Sequence, residues 1–270
     1  MKSIKKLLPT TRPHWVGDGF NVYPVLGQEA FTNEISPFLM FDYAAPKVFK
    51  PSSKKLGVGQ HPHRGFETVT IAYQGEVEHA DSVGHRGVIG AGDVQWMTAA
   101  SGIIHEEFHS TNFAKEGGMF EMAQLWVNLP AKYKMSKPRY QPITVGQIPT
   151  IPLPDDSGDV RVIAGEFAGT QGRASTFTPV NLWDVRLLPG KSVELSLPLG
   201  HNTILFVRKG SVQVGDRASE GSGVIGEAQA ALLTQDGTTV LLKVSTIHWL
   251  YLLFPLIPTS TVSNLTPYCV

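Results

Sequence analysis

The stretch His61-Pro62-His63-Arg64-Gly65-Phe66-Glu67-Thr68-Val69-Thr70-Ile71-Ala72-Tyr73 carries two signals side by side. Its second half, Glu67 to Tyr73, is rich in β-branched and aromatic residues and lies between Gly65 and Gly75, the pattern of a sheet strand. Its first half sets two imidazoles two residues apart. Residues i and i+2 of an extended chain share a face, so His61 and His63 can converge on one ion. Pro62 helps, because the residue before a proline is disfavoured in the helical region.

Outward from this stretch the same texture continues. With 27 Gly and 19 Pro, helices of ordinary length are repeatedly denied room while short strand-like runs recur. Further candidate strands are Val94 to Met97, Ala123 to Leu129, Val160 to Ala164, Asn181 to Leu187, Ser192 to Leu197, Thr203 to Val207 and Ser211 to Val214. The chain reads as all-β with little helix. Six prolines between Pro130 and Pro154 suggest a connector. We therefore expect an N-terminal domain over 1–132, a connector over 133–148 and a C-terminal domain over 149–270. Gly75-Glu76-Val77-Glu78 after one strand and Gly210-Ser211-Val212-Gln213 after another hint that both halves contain the same strand-turn-strand unit.

Composition narrows the function classes. Lys plus Arg equals Asp plus Glu at 23 each, so no global field favours nucleic acid or an anionic membrane, and no direct nucleic-acid partner is expected. The lone Cys269 cannot close an internal disulfide, which fits a reducing, cytoplasmic setting and leaves metal binding to His and carboxylates. Pro9 and Pro13 interrupt the N-terminus before a signal-peptide core can form, and the run Trp249 to Ile257 is about half a membrane span.

Downstream, His105-Glu106-Glu107 after Gly102 offers a second same-face pair, His105 with Glu107. Three imidazoles and one carboxylate suit Fe(II), and also Mn, Co, Ni, Cu or Zn, with positions left open for substrate or dioxygen. The lack of cysteine ligands argues against a closed structural zinc site. Spacing alone leaves either Glu67 or Glu107 as the carboxylate.

The combination His61-x-His63-x3-Glu67, then Gly102-x2-His105, resembles the two-part signature of the cupin superfamily. Whole segments are more specific. His61 to Thr70, Gly92-Asp93-Val94-Gln95-Trp96-Met97, Gly102 to Glu107 and Gln124-Leu125-Trp126-Val127-Asn128-Leu129-Pro130 resemble the pirin family of two-domain cupins. The resemblance implies two jelly-roll-like β-barrels packed face to face, with one mononuclear metal, iron first, in the N-terminal barrel. It implies His61, His63, His105 and Glu107 as ligands, with Glu67 a supporting group behind them. It also implies a quercetin 2,3-dioxygenase-like activity on a flavonol with dioxygen, in which Glu107 stays bound or acts as base. An iron-dependent, redox-sensing regulatory protein that binds a protein partner is the rival implication. A monomer is expected.

Other residues have plainer readings beside functional ones. Phe66, Trp96, Met97, Gln124 and Trp126 can line a pocket for a flat aromatic substrate or, apart from Gln124, fill the barrel core. Arg64 can bind an acidic group or pair with Glu67. His79, His85 and His109 can be a fifth ligand or ordinary histidines, and Glu106 should face the opposite side from His105 and Glu107. The second half holds His201 and His248 without a His-x-His, so we expect no metal there. From Val244 to Val270 no Lys, Arg, Asp, Glu or Gly occurs, and the closing segments that the resemblance leads one to expect are missing. That tail is either a divergent terminus or out of frame, and its run Trp249 to Phe254 is either buried or an exposed apolar patch.

Overall fold

The structure, a computed structural model, describes residues 1–27, 35–216 and 218–244, and the backbone of 248–255. Two compact units emerge, one of residues 11–27 and 37–147, the other of residues 1–10, 35–36 and 148 onward. The first strand, β1 (Ile4–Leu7), belongs to the second of these.

The first unit comprises β2 (His14–Val16), β3 (Phe20–Leu26), β4 (Phe38–Phe49), β5 (Gly57–His63), β6 (Phe66–Gln74), β7 (Val77–Asp81), β8 (Arg86–Ile89), β9 (Val94–Thr98), β10 (Ile103–His109), the short helix α1 (Thr111–Glu116), β11 (Gly118–Asn128) and β12 (Arg139–Ile143). Seven strands form one sheet in the order β12-β9-β6-β11-β4-β3-β2, and four form a second in the order β5-β10-β7-β8. This is a double-sheet jelly roll. β6, the strand of the opening stretch, is buried from Phe66 to Ala72, as a central strand covered on both faces should be. Pro62, which cannot donate to a ladder, sits in β5 at the edge of its sheet.

The second unit adds β13 (Thr150–Pro152), β14 (Gly158–Ala164), β15 (Glu166–Phe167), β16 (Thr170–Gln171), β17 (Val180–Leu187), β18 (Ser192–Ser196), β19 (Thr203–Lys209), β20 (Val212–Val214), β21 (Gly223–Ile225), β22 (Gln229–Leu233), β23 (Thr239–Val244) and β24 (His248–Pro255). Its sheets run β1-β22-β19-β24-β17-β14-β13 and β18-β23-β20-β21. The two units thus repeat one plan. Gly75 carries the chain from β6 of one sheet to β7 of the other, and Gly210 does the same between β19 and β20; both have positive φ, 79° and 86°.

The unit boundaries differ from the expected ones. Within 133–148, read as a connector, Arg139–Ile143 form β12, which pairs with β9 from Arg139 opposite Thr98 to Ile143 opposite Val94. Pro138 precedes this edge strand and Pro142 lies within it, instead of stiffening a linker. The first ten residues, expected in the first domain, complete the second barrel: β1 pairs with β22. Lys2 is buried, and its ammonium donates to the carbonyls of His201, Thr234 and Gln235.

The backbone of the apolar run Trp249 to Phe254 lies in β24 between β17 and β19. Residues 256–270 and the side chains of the run lie outside the described residues, and with them the question of burial or exposure. Among the described residues no helix is long and apolar enough to cross a membrane.

Candidate metal centre

β5 and β10 are antiparallel neighbours in which His105 stands opposite His61, and Ile103 opposite His63. Strand pairing therefore brings together two motifs more than 40 residues apart in the chain. Ring centroids lie 4.3 Å apart for His61 and His105, and 4.8 Å apart for His63 with each of the other two. One ligand nitrogen from each lies within 4.8 Å of the others, and no other group of three or more His, Cys, Asp or Glu with metal-binding spacing occurs among the described residues. Burial, then the neighbouring His105 and His61, pushes the His63 imidazole down to about 3. Burial, then His61 and His79, likewise holds His105 far below its ordinary value. All the shifts favour neutral imidazole, the form that ligates metal.

The free nitrogens fit a metal as well. His61 Nδ1 donates to the Gly59 carbonyl at 2.8 Å, the contact that in a neutral ring leaves the lone pair on Nε2. His105 Nε2 is buried without a hydrogen-bond partner, an orphaned atom that a metal would satisfy. His105 Nδ1 faces His79 Nδ1 at 3.3 Å, and His79 Nε2 faces Asp81 Oδ2 at 3.1 Å.

Glu107 lies outside the trio's ligand group. Its carboxylate accepts from Thr70 Oγ1 at 3.3 Å, from Gln95 Nε2, and from Gln124 Nε2 at 2.9 Å. Tyr140 donates its hydroxyl to Gln95 Oε1 at 3.1 Å, which turns the Gln95 amide N–H groups toward Glu107. The pairing Gln124 opposite Thr70 opposite Gln95 sets all three on the barrel-inner face of the large sheet. Glu106, half-buried, alternates to the other side of β10, as expected.

The same parity corrects two expectations. Glu67 pairs with Thr98 and Val127, one residue out of phase with Thr70 and Gln124, so it points to the opposite face of the sheet. Thr98 Oγ1 donates to it at 2.7 Å, and burial pushes its carboxyl up to about 7. Its apparent parity with His61 and His63 fails because Arg64 and Gly65, with Gly65 at φ 82°, separate two strands and reset the alternation. It touches none of the histidines. Trp96, next to Gln95 in β9, faces away from the trio for the same reason and is fully buried. Arg64 is exposed and reaches Met135 Sδ at 3.4 Å, not Glu67.

The remaining predicted wall residues are placed as follows. Phe66 and Trp126 pack on each other at 4.6 Å, and each ring lies 5.1 Å from His63. Gln124 and Trp126 are half-buried on the inner face. Met97 shares that face but is buried with Ala99 and Ile103, against Tyr140. His109 is a core residue among Phe20, Phe49, Phe113 and Phe120. Sequence reasoning missed Thr70, Gln95, Asp81, Tyr140 and Asp42. Asp42 stands opposite Gln124 and half-buried on the same face, and burial pushes its carboxyl up to about 7. Period two from Met97 and Gln124 would have found Gln95 and Thr70's row.

In the second unit the matching strand pair is β18 with β23, where Val193 faces Leu242 and Leu195 faces Val240. All four belong to an apolar core. A hollow of about 850 Å³ in that unit, lined by Phe167, Trp183 and Leu197 among others, holds no comparable cluster.

A sequence model described as Pirin matches residues 19–127. A Pseudomonas aeruginosa protein provisionally named a quercetin 2,3-dioxygenase is 52% identical over 236 residues, covering 87% of this chain and 80% of its own. Human pirin is 36% identical over 219 residues, covering 80% and 70%. The crystal structure of a quercetin 2,3-dioxygenase from Acinetobacter baumannii superposes with a TM-score of 0.93 at 45% identity, over 100% of this chain and 91% of that one. The chain belongs to the pirin family of two-barrel cupins.

Proposed function

We propose that this chain is a metal-dependent oxidoreductase of the quercetin 2,3-dioxygenase kind, with a flavonol and dioxygen as substrates. The observation that carries the reading is the convergence of three imidazoles, with His61 Nδ1 turned to the Gly59 carbonyl and His105 Nε2 left without a hydrogen-bond partner. The names borne by the Pseudomonas and Acinetobacter relatives support the substrate class.

His61, His63 and His105 hold the metal, with iron the first candidate and Mn, Co, Ni, Cu and Zn compatible with the donor set. When bound, a divalent metal supplies Lewis acidity toward a flavonol hydroxyl and orients it. Everything else falls to the chain. Glu107 supplies the fourth side chain, a ligand that also takes the proton of that hydroxyl. Its position is held by Gln95, Gln124 and Thr70, so it is aimed before substrate arrives. Phe66 and Trp126 form an apolar wall beside His63 that suits a flat ring system. Asp42, half-buried on the same face, offers an acceptor for a peripheral phenol.

The test is dioxygen uptake with quercetin by protein loaded in turn with each metal. Turnover with at least one metal is expected, and none with any metal would overturn the reading.

A further inference from the structure

Behind His105 lies a chain of polar groups that does not reach the substrate side. The side chain of Asp81, at the end of β7, is buried, as is that of His79 two residues before it. Asp81 Oδ1 accepts the backbone N–H groups of Val83 at 3.1 Å and His85 at 2.9 Å. Its Oδ2 faces His79 Nε2 at 3.1 Å and His85 Nδ1 at 3.0 Å. Burial disfavours the charge on Asp81, but the hydrogen bonds from His79 and His85 outweigh it and hold the carboxyl below its ordinary value. Tyr140 stacks on His79 at 4.5 Å and 12°, which fixes the plane of that ring.

An ionised carboxylate only accepts, so in the neutral His79 ring the proton resides on Nε2 and Nδ1 is an acceptor. The group in front of that acceptor is His105 Nδ1, 3.3 Å away. We propose that Asp81 and His79 form a positioning relay that fixes His105 as its Nδ1–H tautomer and so keeps the Nε2 lone pair directed at the other two histidines. The tautomer stands on these contacts alone; its consequence for metal rests on the function proposed above. Three separate features make the polarity one-way: the backbone donors on Asp81 Oδ1, the orphaned His105 Nε2 and the stacked ring of His79.

The geometry gives Asp81→Asn a specific effect. Two backbone N–H groups require an acceptor at the Oδ1 position, so the asparagine carbonyl stays there and its amide N–H₂ takes the place of Oδ2. That amide donates to His79 Nε2, which moves the His79 proton to Nδ1. Facing a donor, His105 must accept at Nδ1 and carry its own proton on Nε2, the atom aimed at the cluster. No charge is added to either ring, and shape is nearly unchanged.

The experiment combines ¹⁵N NMR of the histidine rings in metal-free protein with zinc titration against a competing chelator. Wild type should show His105 protonated at Nδ1, and Asp81→Asn should show it protonated at Nε2, with zinc affinity reduced roughly 10- to 100-fold. His85→Gln, which leaves the Asp81 to His79 bond in place, should match wild type in both readouts. Should Asp81→Asn fold poorly, a second pair decides. His79→Gln can accept from His105 and donate to Asp81, and should stay within about threefold of wild type, whereas His79→Leu should fall as far as the asparagine variant. A wild-type His105 protonated at Nε2, or an unchanged tautomer and zinc affinity in Asp81→Asn, would overturn the relay. A wild type with the expected tautomer but no zinc binding would overturn the metal reading and leave the relay intact.

Discussion

Gln95 and Glu107 are joined by a hydrogen bond across the interior of the first barrel, from the large sheet to the small one. Gln124 and Thr70 complete the set of donors around the same carboxylate. The Glu107 carboxylate faces the barrel interior, whereas Glu67 sits on the far face of the sheet.

That contrast sets the first expectation. Glu107→Gln should lower the rate of dioxygen uptake with quercetin by about 100-fold or more, the usual scale for losing a positioned base. Glu67→Gln should keep both metal and turnover. If the glutamine at 67 loses the metal while that at 107 keeps metal and rate, the parity argument from the sheet register is wrong.

The two tryptophans on opposite sheet faces should separate in their effects. Trp96→Ala removes a fully buried ring and should cost about 3 to 5 kcal/mol of stability in urea unfolding. Trp126→Ala opens the wall beside His63 and should raise KM for quercetin with a smaller loss of stability. A larger KM effect at Trp96 than at Trp126 would contradict the assigned faces.

Two buried carboxyls predict how stability varies with pH. Glu67 is raised from 4.5 to about 7, and Asp42 from 3.8 to about 7, in both cases by burial. Below about pH 3 both are protonated whether the chain is folded or not, and they leave stability unchanged. As pH rises the unfolded chain releases these protons first, so in the metal-free protein these two groups subtract stability until about pH 7 and then level off, while the depressed imidazoles of His63 and His105 act in the opposite direction. Glu67→Gln should remove up to about 3 kcal/mol of that loss. Urea unfolding between about pH 4 and pH 8 measures it, and equal slopes for variant and wild type would count against the buried, uncompensated carboxyl.

Much of the first barrel could be read from local pattern. The strands Phe66–Gln74 and Val94–Thr98 announce themselves by β-branched and aromatic residues between glycines, Gly118–Asn128 by its apolar second half from Ala123, and His61 and His63 by their spacing. What escaped depends on long-range register. That Glu67 and Trp96 are buried on the face away from the histidines, the structural and core readings of each, follows from the turn at Arg64 and Gly65, which resets the alternation, and from the opposite facing of adjacent residues in one strand. Asp81 escapes the sequence, and His79 reads there only as a fifth ligand or an ordinary histidine, because their meaning comes from the pairing of β10 with β7, where His105 stands opposite Asp81. The swap of Ile4–Leu7 into the second barrel is likewise invisible to composition, since edge strands are short and need only one neighbour.

The most direct measurement is the metal content per chain of wild-type protein and of His105→Ala, both purified without a chelating tag and loaded under the same conditions. One metal per wild-type chain, and loss of that metal in the variant, are expected. Equal content in the two proteins, or a wild type that retains none, would contradict the three-histidine centre.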